Sequence, residues 1–206
     1  MTSPPPNVLF WDRVAERYAA RPIKDVPAYE AMLDAVRSTL RPSDNALELG
    51  CGTGTTAIRL APCVAQLTAS DLSRRMIGIA GQKPAPLNLT FRHADAADRI
   101  EGAPFDAVMA FNLLHLVPDL DAALAAVGSQ LKHSGRFISK TPCLGEVSLP
   151  LRLVVRAMRG VGLAPPVAFL TAPALRQAFE KAGFEIVEHR VFGKTRAIHY
   201  FVALKS

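Results

Sequence analysis

Cysteine is scarce and unpaired in pattern: Cys51, Cys63 and Cys143 are odd in number and show no C-x-x-C spacing, which argues against a disulfide framework and against a zinc site. The three read as reduced, buried thiols, and no metal is expected. No stretch reaches the ~18–20 uninterrupted apolar residues of a membrane span. The opening Met1-Thr-Ser-Pro-Pro-Pro6 has neither a basic start nor an apolar core, so it reads as no secretory signal and the protein as cytoplasmic. Beyond those prolines there is no low-complexity tract and no internal repeat. Runs of five or six basic residues are missing too, although Lys and Arg number 24 against 18 Asp and Glu, a net charge of +6. Such a scattered excess fits an ordinary basic surface, while leaving open a contact with anionic lipid or nucleic acid. With 206 residues the chain is long enough for one α/β domain and a sizeable core.

What the chain does have is the stretch Asn45-Ala-Leu-Glu-Leu-Gly-Cys-Gly-Thr-Gly-Thr-Thr-Ala-Ile-Arg-Leu-Ala61. It reads as a short apolar strand ending at Leu49, a turn dense in glycine, and a helix opening near Thr55 and running to Pro62. Glycine serves where a backbone takes positive φ or a ligand approaches closely. Free N–H groups at the helix start then suit a polar or anionic ligand. The dinucleotide fingerprint G-x-G-x-x-G does not fit, because after Gly50 and Gly52 its third glycine position falls on Thr55; a NAD oxidoreductase is therefore disfavoured. The run Glu48-Leu-Gly-Cys-Gly-Thr-Gly54 instead resembles motif I (E/D-x-G-x-G-x-G) of the class I S-adenosylmethionine-dependent methyltransferases. The resemblance is to the small-molecule type, similar to the ubiquinone/menaquinone-biosynthesis enzymes. It implies S-adenosylmethionine as cofactor, cradled by Gly50, Cys51, Gly52 and Gly54, with Glu48 on its amino group.

The remaining segments extend the resemblance. Residues 10–20, Phe-Trp-Asp-Arg-Val-Ala-Glu-Arg-Tyr-Ala-Ala, look like the family's N-terminal stretch that folds over the cofactor, with Tyr18 as the closing tyrosine; the same aromatic stripe also reads as plain helix core. A second helix is expected over Ala28 to Leu40. The strand Gln66–Asp71 ends in an acid suited to ribose hydroxyls, since a carboxylate accepts two donors at once. Ser73 is a plausible N-cap of the helix that follows, and Leu72 and Met76 match the family positions lining the adenine. A third strand is read at Leu87 to Arg92. Asp95 and Ala96 then match an element whose aspartate accepts from the adenine amino group. Phe105 to Asn112 is an apolar run of the kind a strand covered on both faces shows. Asn112 and His115 follow at its carboxyl end, where open α/β sheets bind ligands; His115 is the candidate general base, with a buried structural histidine as the alternative. No D/N-P-P-Y occurs there, which disfavours nucleic-acid base methylation.

A helix is expected over Leu120 to Leu131, then a turn at Ser134-Gly135 and a fifth strand. In Leu149 to Gly160 the spacing of Arg152, Arg156 and Arg159 sets three guanidiniums in one stripe, opposite Val154, Ala157 and Met158. This helix reads either as a contact to an anionic membrane or phosphate-bearing substrate, or as a lid with solvated arginines. A last helix over Thr171 to Gly183 precedes strands at Phe184 to Phe192 and Ile198 to Leu204. The alternation of strand and helix argues for α/β architecture with a parallel sheet. The family resemblance specifies a Rossmann-like, seven-stranded, mostly parallel sheet with helices on both faces and a C-terminal antiparallel hairpin. One domain is expected over 1–206, comprising an N-terminal helical cap (1–41), a cofactor-binding core (42–141), a lid insertion (142–171) and a final helix and hairpin (172–206). The function implied is methyl transfer to a small-molecule acceptor; the alternatives are a phospholipid-headgroup enzyme at a membrane surface and a non-catalytic cofactor binder.

Overall fold

The computed structural model describes residues 6–193 and 196–206; Lys194 and Thr195, expected in the last hairpin turn, lie outside them, as do the first five residues. Two helices open the chain, α1 (Pro6–Ala19) and α2 (Val26–Thr39). Asp25 caps α2 by accepting from Ala28 N, with Pro27 in the first turn, so the helix begins two residues before the expected Ala28. Then β1 (Asn45–Leu49), α3 (Thr55–Leu60), β2 (Gln66–Asp71), α4 (Arg74–Gly81), β3 (Leu89–His93) and β4 (Phe105–Phe111) alternate. The chain continues with α5 (Leu120–Gln130), β5 (Leu131–Pro142), α6 (Leu149–Gly160), α7 (Ala172–Lys181), β6 (Phe184–Phe192) and β7 (Ile198–Lys205).

Among the described residues seven strands form one sheet in the order β3-β2-β1-β4-β5-β7-β6. β1 to β5 pair in parallel, and β7 runs antiparallel between β5 and β6. The expected turn at Ser134-Gly135 is absorbed into β5. Pairing with β4 shifts register between Phe105 and Ala107, and Ser134 takes φ 58°, so the extra residues form an irregularity within one long strand.

Helices cover both faces. On one, Met32, Leu33 and Val36 of α2 and Leu60 of α3 pack on Leu67, Met109, Ile138 and Tyr200. On the other, Leu124 and Val127 of α5 and Phe179 of α7 pack with Phe105, Phe137, Phe184 and Phe201, the Phe137 and Phe179 rings 5.3 Å apart. Burial of these faces drives the fold. One ion pair sits at the far edge from the strand carboxyl ends: Arg136 donates to Asp44 at 2.6 Å and to the Thr39 carbonyl at 2.8 Å, joining β5 to the loop before β1. Topologically, the strand order reverses between β1 and β4, so the carboxyl ends of those two strands open a crevice.

Candidate functional site

The crevice is built by short loops that leave β1, β2 and β4. Past Leu49 the backbone turns through Gly50, Gly52 and Gly54, all at positive φ (68°, 55° and 75°). Asp71, at the end of β2, holds this turn: one carboxylate oxygen accepts from Gly52 N at 2.8 Å and the other from Ser73 N at 2.9 Å. Ser73 caps α4 by accepting from Met76 N, and its hydroxyl donates to Asp12 of α1. That last bond pins α1 above the crevice. Trp11 and Tyr18, edge to face at 5.9 Å, stand over its mouth, and Arg13 ties the same helix to the carbonyl of Gly162 at 2.6 Å.

The resulting cavity holds about 450 Å³. Of the residues singled out in the sequence, Tyr18, Gly50, Gly52, Asp71, Leu72, Met76, Asp95, Ala96, Asn112 and His115 line it. Three do not. Gly54 is packed against β3: a Cβ there would lie 2.6 Å from the Phe91 ring, so its missing side chain makes room for that ring. Cys51 faces a neighbouring cavity. Glu48 lies on β1 two residues before the glycine turn, 2% exposed, and lines neither. Its Oε2 has no hydrogen-bond partner among the described residues. Burial, and secondarily the Asp71 charge, push its carboxyl up to about 8. A buried acid with an unpartnered oxygen and a raised pKa beside a cleft is a candidate for a cationic group of a ligand. Trp11, from the stretch expected to fold over the cofactor, lines the cavity too, and sequence reading passed over Leu113, Pro142 and Pro165, which also line it; an apolar side chain carries no chemical signature of its own.

His115 is buried in the wall, and its Nδ1 also lacks a partner among the described residues. Burial lowers its pKa to about 4, so the imidazole is neutral at physiological pH and a weak base. Asn112 adopts φ 56°, an unusual conformation outside glycine, and its N–H donates to the Lys140 carbonyl at 2.7 Å, bringing the ends of β4 and β5 together. A second cavity of about 410 Å³ adjoins the first and shares Tyr18, Phe111 and Asn112 with it.

Two features differ from, or add to, what the sequence offered. The arginines of α6 are not simply solvated. Arg152 and Arg156 sit over the Phe169 ring at 5.7 and 5.1 Å, and Arg159 donates to the Val167 carbonyl. Cation–π attraction and a free carbonyl turn this stripe onto the 165–169 segment, so the guanidiniums are partly spent within the chain. The outward face instead carries Leu149, Leu153, Val154 and Met158, continued by Val161 and Leu163, and none of the helix's residues is buried. Secondly, the fold brings Cys143, Glu146 and His199 within 4.8 Å of one another, a grouping invisible in sequence spacing. His199 donates to Glu146 at 2.7 Å, and the other oxygen of Glu146 accepts from Ala172 N. These bonds give the cluster a structural task, tying β7 to the start of α7.

The "Methyltransferase domain" family model matches residues 15–189. A ubiquinone/menaquinone biosynthesis C-methyltransferase UbiE of Rhizobium etli is 34% identical over 131 residues, covering 59% of this chain and 50% of that protein. The O-methyltransferase cnsE of Penicillium expansum is 26% identical over 193 residues, covering 88% and 66%. The chain thus spans about half the length of the first curated relatives it matches. Among solved structures, magnesium protoporphyrin IX methyltransferase (ChlM) of Synechocystis PCC 6803 with bound S-adenosylhomocysteine superposes with TM-score 0.71 at 22% identity over 97% of this chain and 96% of that one. That likeness is one of fold.

Glu48 leads to a stability prediction. Its folded carboxyl keeps a proton up to about pH 8, while the unfolded one loses it near 4.5. Between these values the folded state binds more protons, so this group's stabilisation declines as pH rises through the window and levels off above it. Urea unfolding at pH 5 and pH 8 should show Glu48→Gln gaining on the wild type by roughly 2–4 kcal/mol over that interval. Parallel pH dependence of the two proteins would contradict the assignment.

Proposed function

The chain belongs to the class I S-adenosylmethionine-dependent methyltransferase family, and from that premise we propose that it transfers a methyl group from S-adenosylmethionine to a small-molecule acceptor. The observation that carries this reading is Glu48, a buried carboxyl with an unpaired oxygen on β1, two residues before the glycine turn begins. An ammonium group is the partner this site lacks, and the cofactor's methionyl end has one. The first cavity has the volume for one cofactor. When bound, S-adenosylmethionine supplies a methyl group already activated by a sulfonium.

The residues then have little chemistry to perform beyond holding, orienting and drying. Asp71 accepts from two backbone N–H groups, and each of its oxygens retains a lone pair for a ribose hydroxyl. Asp95, whose Oδ1 accepts from Ala97 N, presents its carboxylate toward an adenine amino group, with Leu72 and Met76 against the ring. Trp11 and Tyr18 exclude water from above. His115, neutral near pH 7 and a weak base, accepts a hydrogen bond from an acceptor hydroxyl and orients it. A non-catalytic binder would share the pocket and lack the product.

A second reading, an acceptor met at a lipid surface, is favoured by the outward apolar face of α6. Leu153 and Val154 are each more than half exposed, and no acidic residue occurs between Glu146 and Glu180. Such a face suits the boundary of a bilayer with anionic headgroups.

Three experiments test these readings. Methyl-labelled donor incubated with the protein and a metabolite-plus-lipid extract should yield a labelled product with loss of donor, and Asp71→Asn should weaken S-adenosylhomocysteine binding by roughly 1–3 kcal/mol. Label that stays on the donor, or an Asp71→Asn affinity equal to wild type, would refute the respective claims. In sedimentation with phosphatidylglycerol vesicles, the surface reading expects binding that Leu153→Glu plus Val154→Glu abolishes; wild type remaining in the supernatant would exclude it.

A further inference from the structure

The second cavity is unaccounted for by the cofactor. It lies on the α2 face of the sheet, beyond the carboxyl ends of β4 and β5, and its common wall with the first cavity is Tyr18, Phe111 and Asn112. Lys140 projects into it from β5, flanked in the sheet by Phe111 on β4 and Tyr200 on β7. The lysine stands in a desolvated setting that depresses its pKa, and among the described residues no carboxylate lies within ion-pair distance of it. Tyr29 and Phe192 add aromatic surface. Of the other charged groups lining this space, Arg21 and Lys24 are cations, and Asp25 is engaged in capping α2; the remaining titratable groups are the Tyr18 and Tyr29 phenols and the Cys51 thiol.

A half-buried ammonium without a counter-ion is costly unless a ligand supplies one. Flat aromatic walls with a single buried cation select a flat molecule with a negative oxygen. We propose that this cavity is the acceptor chamber and that Lys140 binds the acceptor there, an aromatic compound held by an ionised oxygen, phenolate or carboxylate. This rests on the methyl-transfer reading above. An anion brought between the ammonium and the cofactor's cationic sulfur offsets both charges. The ionised oxygen, or a ring carbon conjugated to it, forms the new bond to the methyl group as the carbon–sulfur bond breaks, and the electron pair stays on sulfur. An acceptor that enters as an oxyanion has already lost its proton to solvent, so O-transfer leaves none to remove; C-transfer releases the ring proton afterwards, with His115 as the base at hand in the adjoining wall. Lys140 thereby sets which acceptors are taken.

The test uses three probes of similar shape, 4-nitrophenolate at pH 8, benzoate and uncharged nitrobenzene, titrated against the protein saturated with S-adenosylhomocysteine. Wild type should bind one or both anions more tightly than nitrobenzene, and whichever anion is favoured identifies the phenolate or the carboxylate as the group recognised. Lys140→Met should weaken anion binding about 10- to 100-fold, with nitrobenzene and S-adenosylhomocysteine affinities unchanged; Lys140→Arg should keep the preference for anions. Melting temperatures check the fold, and Lys140→Gln replaces the Met variant if that one melts lower. Anion affinities equal in wild type and variant, or no preference for anions in wild type, would overturn the proposal. Failure of wild type to bind S-adenosylhomocysteine would instead strike the methyltransferase reading itself, so the two failures are told apart.

Discussion

Two carboxyl groups at neighbouring strand ends, Glu48 on β1 and Asp71 on β2, set the terms for the rest of this molecule. Asp71 is satisfied from below, since its two oxygens take the N–H groups of Gly52 and Ser73, and this clamp fixes both the glycine turn and the start of α4. Through Ser73 the same acid reaches Asp12 and hence α1, so the roof over the cavity is anchored to its floor. Glu48 has no such arrangement. It is buried, one oxygen is unpaired among the described residues, and proximity to Asp71 adds to the cost of its ionisation. A fold that keeps this group on β1 carries a local electrostatic cost.

The two cavities lie side by side along the strand ends. The first runs from β3 across to β4 and offers acids, a glycine turn and an apolar slot. The second lies toward β5 and α2 and offers aromatic walls and a lysine. Their charges differ in kind: the carboxylates of Asp71 and Asp95 line the first, and Lys140 lines the second. The Asn112 N–H bond to the Lys140 carbonyl draws the two strand ends together, so the partition between the two cavities is made of backbone and a few shared side chains.

Much of this was legible in the chain because the local signals were strong. Glu48 to Gly54 combines an apolar strand with three glycines, and Gln66–Asp71 ends in an acid followed by a capping serine; each pattern has one economical geometry. Gly54 shows the limit of motif reading. Its backbone is left-handed as the motif requires, yet what its missing side chain makes room for is Phe91, a residue on a strand far along the sequence. The α6 helix shows another limit. Periodicity separates a basic stripe from an apolar one, but not which of them faces the protein, and here Phe169 draws the arginines inward. Lys140 carried no signal at all, since a lysine near a strand end reads as a solvated edge until the strands on either side enclose it. The Cys143–Glu146–His199 grouping was equally hidden, because it forms only when β7 returns beside β5.

On the proposed reading, Glu48 holds a proton before ligand binding and gives it up when an ammonium group arrives. Calorimetric titration with S-adenosylmethionine at pH 7, in two buffers of different ionisation enthalpy, measures that proton directly. With a carboxyl whose pKa stands at about 8 in the free protein, the wild type should release close to one proton per cofactor bound, and Glu48→Gln should release none. Binding with no proton released by the wild type, or no binding at all, would contradict the central claim.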